Sequence, residues 1–234
     1  MMSAPLLRVI GRAVFDPPVR RNLSSVTGTD RIPAGGPVVV VANHTSYLDH
    51  FVLMRTLRRI RPDAPWFLTK SESFRHPIGR AWATAWQGIP VDRDSPSVRT
   101  VREVRAVLRR DGVLVVYPEG TRSRQPERLG SFTSGAFRFA ADARVPLVPV
   151  AITGAERVLP AGARRFRRAR IDVRVGCPLV VADERPASVR AHLLAVAARD
   201  WMSAALTEMS ASRPERAARD RAPAGPSPSP EVLS

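Results

Sequence analysis

The sequence predicts a single α/β domain built on a mixed, largely parallel sheet that is flanked by helices. The chain has 234 residues, 44% of them apolar, which is enough for one substantial core. Short β-branched, apolar runs alternate with segments whose apolar residues recur at helical spacing. Such alternation is typical of strands joined by crossover helices, and continuously apolar runs indicate strands that are buried on both faces.

The first segment, residues 1–20, is predicted to be a short amphipathic helix. Leu7, Ile10 and Val14 fall on one face, and the Asp-Pro-Pro at residues 16–18 should stop the helix. Two interpretations are open: the helix lies on lipid at a membrane interface, or it packs on the domain.

A buried strand is predicted next, at residues 37–42, followed by a helix at residues 47–59. Thr45 or Ser46 is a suitable N-cap for that helix. A second short strand covers residues 66–70. The polar residues after the first strand therefore lie in a strand-to-helix turn.

The rest of the chain continues the alternation. Ser73 should cap a helix that ends at Gly88 and carries large apolar residues at four-residue spacing, namely Phe74, Ile78, Trp82 and Trp86. The remaining elements are an extended piece at 89–93, helices at 97–110, 135–143 and 186–209, and strands at 113–117, 146–152 and 171–175. The predicted divisions are an amphipathic segment (1–20), the domain (21–209) and a disordered tail (210–234).

The strong positive charge of the chain limits the kinds of partner that it is expected to bind. Lys plus Arg number 37 against 21 Asp plus Glu, and the net charge of +16 should draw the protein to polyanions such as an anionic membrane surface or phosphorylated ligands. Every one of these cations except Lys70 is an arginine.

No apolar run approaches the roughly 18 residues that span a bilayer, and Arg8 and Arg12 interrupt any signal-peptide pattern. We therefore expect a peripheral protein on the cytoplasmic side, and its single cysteine, Cys177, excludes an intrachain disulfide.

His44 and Asp49 form the first candidate pair. Histidine is the side chain best suited to take a proton from a hydroxyl near neutral pH, and an acidic partner fixes its tautomer. Five positions along one helix differ by about 140° of rotation, so the two side chains meet only if His44 lies in the turn and Asp49 in the helix. Taken alone, the spacing is explained more simply by a surface histidine and a first-turn aspartate that the helix dipole stabilises.

Residues 119–122, Glu-Gly-Thr-Arg, follow a strongly apolar strand. Gly120 permits a tight turn and a close approach of the backbone to a ligand, and Arg122 offers a planar fork that matches a phosphate. Most segments of this kind are simply polar turns, so this motif alone is only suggestive.

Four blocks in a fixed order are far more specific than either motif. They are Asn-His-Thr-Ser-Tyr-Leu-Asp (43–49), Gly-Ile-Pro-Val-Asp-Arg (88–93), Tyr-Pro-Glu-Gly-Thr-Arg-Ser (117–123) and Val-Pro-Leu-Val-Pro-Val (145–150). This set resembles the glycerolipid acyltransferase family, whose bacterial type member acylates 1-acylglycerol 3-phosphate. The later Gly-Cys-Pro-Leu at 176–179 resembles a weaker feature of the same family.

The resemblance implies a glycerol-3-phosphate acyltransferase-like fold and a lysophospholipid acceptor. An acyl group would pass from acyl-CoA or acyl carrier protein to the free hydroxyl of 1-acylglycerol 3-phosphate, giving phosphatidic acid. His44 would be the general base and Asp49 its partner. The acceptor's glycerol phosphate would be held by Lys70, Arg93, Glu119, Gly120, Thr121 and Arg122. The resemblance implies no covalent acyl-enzyme, no metal and no cofactor.

Two departures from the family pattern concern the acceptor. Pro90 and Ser134 stand where the family usually has an aromatic or aliphatic residue and a lysine, respectively. An alternative acceptor is therefore another lyso-lipid, such as an aminolipid or glycolipid, acylated by the same mechanism. A non-catalytic basic module that binds membrane or nucleic acid would explain the charge but not the four blocks, and no nucleic-acid-binding motif is recognisable, so we expect no nucleic-acid partner.

Two further features have open interpretations. The apolar row from Phe74 to Trp86 lines an acyl groove, dips into lipid, or belongs to the core. The dense basic segment at residues 164–170 either binds anionic headgroups or is solvated charge.

Overall fold

A computed structural model of the chain describes residues 3–92, 96–123, 125–182 and 184–212. The strands within these ranges are β1 (Leu23–Thr27), β2 (Val38–Ala42), β3 (Trp66–Lys70), β4 (Gly88–Val91), β5 (Val113–Val116), β6 (Leu147–Thr153) and β7 (Ile171–Val175). The α-helices are α1 (Ala4–Asn22), α2 (Leu48–Leu57), α3 (Pro77–Ala85), α4 (Val98–Leu108), α5 (Gly135–Ala143), α6 (Ala155–Val158) and α7 (Ala187–Ala211).

All seven of these strands form one sheet, in the order β1-β7-β6-β2-β5-β3-β4. The five strands from β6 to β4 are parallel to one another, whereas β7 pairs antiparallel with β6, and β1 pairs parallel with β7. The predicted mixed, largely parallel sheet is thereby confirmed. Because β2 and β5 are parallel neighbours, the turns that follow them leave the same edge of the sheet.

Two layers of apolar side chains cover the two faces of the sheet. Val38 and Val40 of β2 belong to the layer that includes α1, α2 and α3, and Val39 and Val41 belong to the layer that includes α4, α5 and α7. All four valines are fully buried. The strand is apolar at every position because its side chains alternate between two covered faces.

The predicted stop of the first helix is wrong, because α1 continues through both prolines to Asn22. A proline in a helix interior costs roughly 3 kcal/mol, so packing on either side of the pair must offset it. Phe15 stacks on Phe51 of α2 with 4.3 Å between the ring centroids, and Val19 is fully buried.

Among the described residues, no helix has the length and apolar character needed to cross a membrane.

The predicted helix over residues 74–86 is interrupted. Ser71–Phe74 form one 3₁₀ turn, and α3 begins only at Pro77, with His76 as its N-cap. Proline suits the first position of a helix, whereas the residue before it is pushed into an extended conformation. Phe74 is therefore outside α3, and Gly88 opens β4 instead of ending the helix.

Other boundaries differ less. The N-cap of α2 is Tyr47 rather than Thr45 or Ser46, although Ser46 Oγ accepts the Leu48 N–H at 3.2 Å. Helix α7 extends to Ala211, so the first residues of the predicted tail are helical, and residues 213–234 lie outside the described part of the chain.

Strand β1 and the short helix α6 are absent from the sequence-based prediction. Three of the five residues of β1, Leu-Ser-Ser-Val-Thr, are polar, and none of the five is fully buried. It is a strand because it pairs with β7 at the edge of the sheet, a long-range contact that its local sequence does not specify.

Candidate active site

The turn after β2 is fixed to the neighbouring strand by Asn43. Its Nδ2 donates a hydrogen bond to the Ile152 carbonyl oxygen and its Oδ1 accepts the Ile152 N–H, each at 2.8 Å. Asn43 is 2% exposed, so its amide pairs with backbone groups of β6 where β2 ends. The sequence placed Asn43 in the first motif, but its role as an anchor follows only from the strand order.

His44 lies in the turn and Asp49 is the second residue of α2, which is the arrangement that the rotation argument requires. A hydrogen bond of 3.0 Å joins His44 Nδ1 to Asp49 Oδ2. The same carboxylate oxygen accepts the N–H groups of Thr45, at 2.6 Å, and Ser46, at 2.8 Å. Because an ionised carboxylate only accepts, His44 carries its proton on Nδ1 and Nε2 is left as the basic nitrogen.

Tyr117, at the end of β5, packs against the imidazole of His44. The two rings stack with 4.1 Å between centroids and an interplanar angle of 14°. Burial, and secondarily the charge of Asp49, raises the pKa of Tyr117 well above its usual value, so the phenol is neutral. The Tyr117 hydroxyl and Asp49 Oδ1 are buried and have no hydrogen-bond partner among the described residues. Tyr117 therefore supports the His44 ring through its face, a role that the sequence motif did not reveal.

Glu119 binds two backbone N–H groups. Its Oε1 accepts the His44 N–H at 3.0 Å and its Oε2 accepts the Gly130 N–H at 2.9 Å. The Ser123 N–H also donates to the His44 carbonyl oxygen at 2.7 Å. Glu119 Oε1 thus ties the turn after β5 to the turn after β2, while Oε2 holds the later part of its own loop at Gly130. The contact with the His44 N–H fixes the backbone of His44, and the assignment of Glu119 to ligand binding stays a prediction.

Gly120 and Arg122 complete the turn after β5. Gly120 has φ of 63° and its N–H bonds to the Tyr117 carbonyl oxygen at 3.0 Å, so a glycine suits the position. The Arg122 guanidinium lies over the ring of Tyr47, 3.5 Å from its centroid, and Thr121 is exposed. This cation–π contact holds the planar fork in place while leaving its N–H groups available to a ligand.

A cavity of about 980 Å³ brings most of the predicted residues together. It is lined by His44, Lys70, Gly120, Thr121 and Arg122, among others. Lys70 reaches it from the end of β3, which pairs with β5. The volume lies at the upper end of the range for small-molecule sites. Asp49 and Glu119 lie behind the lining, and Arg93 is outside the described residues.

An aromatic cluster lines the same cavity. It comprises Phe15, Phe51, Phe67, Trp82 and Trp86, joined by ring contacts with centroid separations of up to 6.1 Å and by contacts to the ring of His50. Helix α1 approaches it so closely at Gly11 that a Cβ there would lie 2.3 Å from the Trp86 ring. The predicted apolar row is therefore divided: Trp82 and Trp86 line the cavity, whereas Ile78 is 85% exposed.

The outer face of α1 forms a second surface next to this cluster. Four of its apolar residues are exposed, namely Leu6, Val9, Ile10 and Val14, while Leu7 packs on the core. The basic segment 164–170 lies beside it, because Phe166 contacts Phe15 edge-on at 5.8 Å. We call this region the α1 surface. Helix α1 thus packs on the domain through one face and exposes apolar residues beside arginines through the other.

The described residues contain no group of three or more His, Cys, Asp or Glu side chains placed to hold a metal ion. What the site offers is one basic imidazole nitrogen, a buried carboxylate behind it, a long apolar wall and four cationic side chains in the cavity lining, namely Lys70, Arg105, Arg122 and Arg138. This combination suits proton abstraction from a hydroxyl of a ligand that carries both an anionic group and an apolar chain.

Several known proteins are similar to this chain. The 1-acyl-sn-glycerol-3-phosphate acyltransferase alpha of Mus musculus is 30% identical over 220 residues, which cover 84% of this chain and 75% of the mouse protein. A chloroplastic 1-acyl-sn-glycerol-3-phosphate acyltransferase of Arabidopsis thaliana is 32% identical over 142 residues, 59% of this chain. The matched region spans only 38% of that relative, and 40% of a related chloroplastic enzyme of Brassica napus.

The fold has a solved counterpart and the sequence matches a family. The crystal structure of a 1-acyl-sn-glycerophosphate acyltransferase from Thermotoga maritima matches 89% of this chain, and 80% of its own, with a TM-score of 0.64 at 23% identity. This likeness confirms the predicted fold type. The sequence model described as Acyltransferase matches residues 24–153, which is more than half of the chain and includes all four blocks in full. The chain therefore belongs to the acyltransferase family.

Proposed function

We propose that this protein transfers a fatty acyl group from a thioester donor to the free hydroxyl of 1-acylglycerol 3-phosphate, giving phosphatidic acid. The observation that carries the proposal is the His44–Asp49 hydrogen bond in a cavity that also holds Lys70 and Arg122. The similarity to proteins named as 1-acyl-sn-glycerol-3-phosphate acyltransferases supports the same acceptor.

His44 acts as the general base. Its Nε2 takes the proton of the acceptor hydroxyl while that oxygen attacks the thioester carbonyl carbon. The tetrahedral intermediate then collapses, the carbon–sulfur bond breaks with its electron pair on sulfur, and the imidazolium returns the proton to the sulfur. The products are the new ester and a free thiol, and His44 is ready for another cycle.

Asp49 stabilises the imidazolium that forms during this transfer. Its Oδ2 already accepts the His44 Nδ1–H, and two backbone N–H groups keep the carboxylate in place. Tyr117 restricts the ring from one face and Glu119 fixes the backbone of His44. The base is thereby preorganised, which lowers the entropic cost of reaching the reactive geometry.

Lys70 and Arg122 bind the phosphate of the acceptor. Both line the cavity that contains His44, and the Arg122 fork suits two parallel hydrogen bonds to phosphate oxygens. Arg93 belongs to the same proposal on the basis of its motif alone. The acyl chains lie along the aromatic cluster, whose area is sufficient to bury a long hydrocarbon segment.

The α1 surface brings the site to an anionic membrane as a peripheral attachment on the cytoplasmic face. Its exposed apolar residues enter the headgroup region, and the arginines of segment 164–170 lie beside them. Each cation near an anionic surface contributes about 1 kcal/mol to the free energy of membrane binding.

The proposed donor of the acyl group is acyl-CoA or acyl carrier protein.

A second acceptor class is supported by one observation. Ser134 lines the cavity at a position where the family usually has a lysine, so the lining carries one cation fewer. A lyso-lipid whose headgroup is an amine or a sugar is the alternative acceptor. A purely non-catalytic basic module is disfavoured, because the His44–Asp49 pair is built into the cavity rather than into a basic surface.

Acyl transfer with a radiolabelled donor tests the proposal. Acyl-CoA and acyl carrier protein are each supplied with 1-acylglycerol 3-phosphate, an amino lyso-lipid or a glycosylated lyso-lipid, and His44→Ala provides the background. We expect labelled phosphatidic acid from the first acceptor only. Labelled product from another acceptor alone favours the alternative, and no product from any combination contradicts acyl transfer.

A further inference from the structure

Two polar groups in the aromatic cluster are not used by the proposed reaction. His50 Nε2 and Trp86 Nε1 are both buried and have no hydrogen-bond partner among the described residues. Both residues line the cavity. A buried polar atom without a partner is a substantial cost, so a pair of them in an otherwise apolar wall indicates a partner that arrives with a ligand.

The two groups are close neighbours. Their rings meet edge-to-face, at 89°, with centroids 6.0 Å apart. His50 also packs on Phe67 at 3.7 Å and on Phe51 at 5.3 Å between centroids, so its ring is held within the cluster. The edge-to-face contact sets the two rings side by side in the cavity wall, so one polar group of a ligand that enters between them can serve as the partner of both nitrogens.

The chemistry of the pair specifies the missing group. The Trp86 indole N–H can only donate, whereas one nitrogen of a neutral imidazole donates and the other accepts. His50 is neutral, since burial lowers its pKa from 6.5 to about 3. A hydroxyl accepts from Trp86 and donates to His50 at the same time. A plain hydrocarbon chain satisfies neither nitrogen.

We propose that His50 and Trp86 form a subsite for a hydroxyl group carried by the acyl chain of the donor, so that the enzyme prefers hydroxylated over unsubstituted acyl groups. The inference rests on the acyl transfer proposed above and adds the class of acyl group that is transferred. The other unpartnered polar groups near His44 are the Tyr117 hydroxyl and Asp49 Oδ1, and these belong to the support of the base itself.

The test compares acyl-CoA donors of equal chain length. One is unsubstituted, and the others carry a single hydroxyl near the carboxyl end, at mid-chain or near the far end. For at least one hydroxylated donor we expect kcat/KM to exceed that of the unsubstituted donor by about tenfold or more, the effect of one or two well-placed hydrogen bonds. Equal values for all donors would overturn the subsite.

Variants locate the preference. In His50→Phe and in Trp86→Phe the ratio of kcat/KM for hydroxylated and unsubstituted donors should fall to about one, because one partner of the hydroxyl is lost while the ring is kept. Trp82→Phe, in the same cluster, and His192→Phe, on the exposed side of α7, are matched controls that should retain the ratio. A preference that survives both His50→Phe and Trp86→Phe contradicts the assignment.

Binding separates this inference from the proposed function. Non-hydrolysable thioether analogues of the same donors can be titrated by calorimetry into the full-length protein without any turnover. Tighter binding of a hydroxylated analogue, lost in His50→Phe, supports the subsite even if the acceptor is a different lyso-lipid. Equal binding of all analogues overturns the subsite even if acyl transfer to 1-acylglycerol 3-phosphate is observed.

Discussion

His44 and His50 are six residues apart and line the same cavity, but they lie in different surroundings. The turn at residues 43–49 holds His44 through a carboxylate, a stacked phenol ring and backbone hydrogen bonds. The aromatic cluster holds His50 through ring packing, and among the described residues its Nε2 has no hydrogen-bond partner. The proposed base therefore has a carboxylate beside it that would stabilise an imidazolium, whereas burial disfavours protonation of His50.

The largest expected effect comes from removing the base. His44→Ala should lower kcat by roughly 10²- to 10⁴-fold, since that is the usual contribution of a general base. Steady-state acyl-transfer assays measure this decrease in kcat, and circular dichroism should show that the fold of the variant is unchanged. His192→Ala, on the exposed side of α7, is the control and should leave kcat unaltered. A folded His44→Ala enzyme with near-normal kcat would remove the catalytic assignment.

Removing the charge behind His44 should come next. Asp49→Asn keeps an oxygen for the backbone N–H groups of Thr45 and Ser46 but no longer stabilises an imidazolium. We expect kcat to fall by about 10²-fold or more. In the double variant with His44→Ala, little further loss is expected, because residues acting as a unit are not additive. Fully additive losses would mean that the two residues act independently.

His50 should instead affect stability in acid. Burial, and secondarily the nearby charge of His44, lowers the pKa of His50 from 6.5 to about 3. Between these values the unfolded chain binds a proton that the folded chain does not, so the free energy of unfolding falls as the pH falls from 6.5 towards 3. At about pH 5 this loss amounts to at most about 2 kcal/mol, and above pH 6.5 it is absent.

Urea unfolding at about pH 7 and about pH 5 measures this contribution. The decrease in free energy of unfolding between the two conditions should be smaller in His50→Phe than in the parent and the same as the parent in His192→Phe. If His50→Phe loses as much stability as the parent, then His50 is protonated in the folded protein and the contrast between the two histidines fails.

The cations of the cavity lining should affect the acceptor more than the donor. Lys70→Ala and Arg122→Ala should each raise the acceptor KM by roughly tenfold, the equivalent of one charge-assisted hydrogen bond, and lower kcat to a smaller extent through misplacement. Lys70→Arg should not be silent, because a guanidinium is larger and differently shaped than an ammonium. Steady-state kinetics with varied acceptor concentration at saturating donor measure these changes in KM and kcat.

Arg99→Ala is the matched control for these cations. Arg99 is on α4, its side chain is 78% exposed, and it pairs with Glu103. A rise in acceptor KM of the same size in this variant would indicate a general effect of charge instead of a phosphate site. An unchanged KM and kcat in both cavity variants would weaken the phosphate-bearing acceptor itself.

The smallest expected effect concerns the α1 surface. Leu6→Gln with Val9→Gln removes exposed apolar area without touching the contacts of α1 with the aromatic cluster. We expect severalfold weaker binding to anionic vesicles, further reduced by salt, and nearly normal activity on an acceptor dispersed in detergent. Val189→Gln on the exposed face of α7 is the control. Unchanged vesicle binding would show that α1 does not contact lipid.

Much of the site was predictable because its parts are short-range. The segment from His44 to Asp49 specifies a strand-to-helix turn through its own apolar and polar pattern, and the helical rotation restricts which residue lies where. Gly120 and Arg122 follow a strand whose apolar pattern is equally local. The strands β2, β3, β5 and β7 and the helix α5 were predicted nearly at their observed bounds for the same reason.

The alternation of strands and helices, the largely parallel sheet and the motif residues could all be predicted from the amino-acid pattern. Four features follow from long-range packing: α1 passes through two prolines, Asn43 anchors β2 to β6, Glu119 holds the backbone of His44, and the rings of His50 and Trp86 meet edge-to-face. Each of these depends on contacts between residues far apart in the chain. Local propensities of about 1 kcal/mol per residue cannot specify such contacts, because burial and packing against distant partners outweigh them.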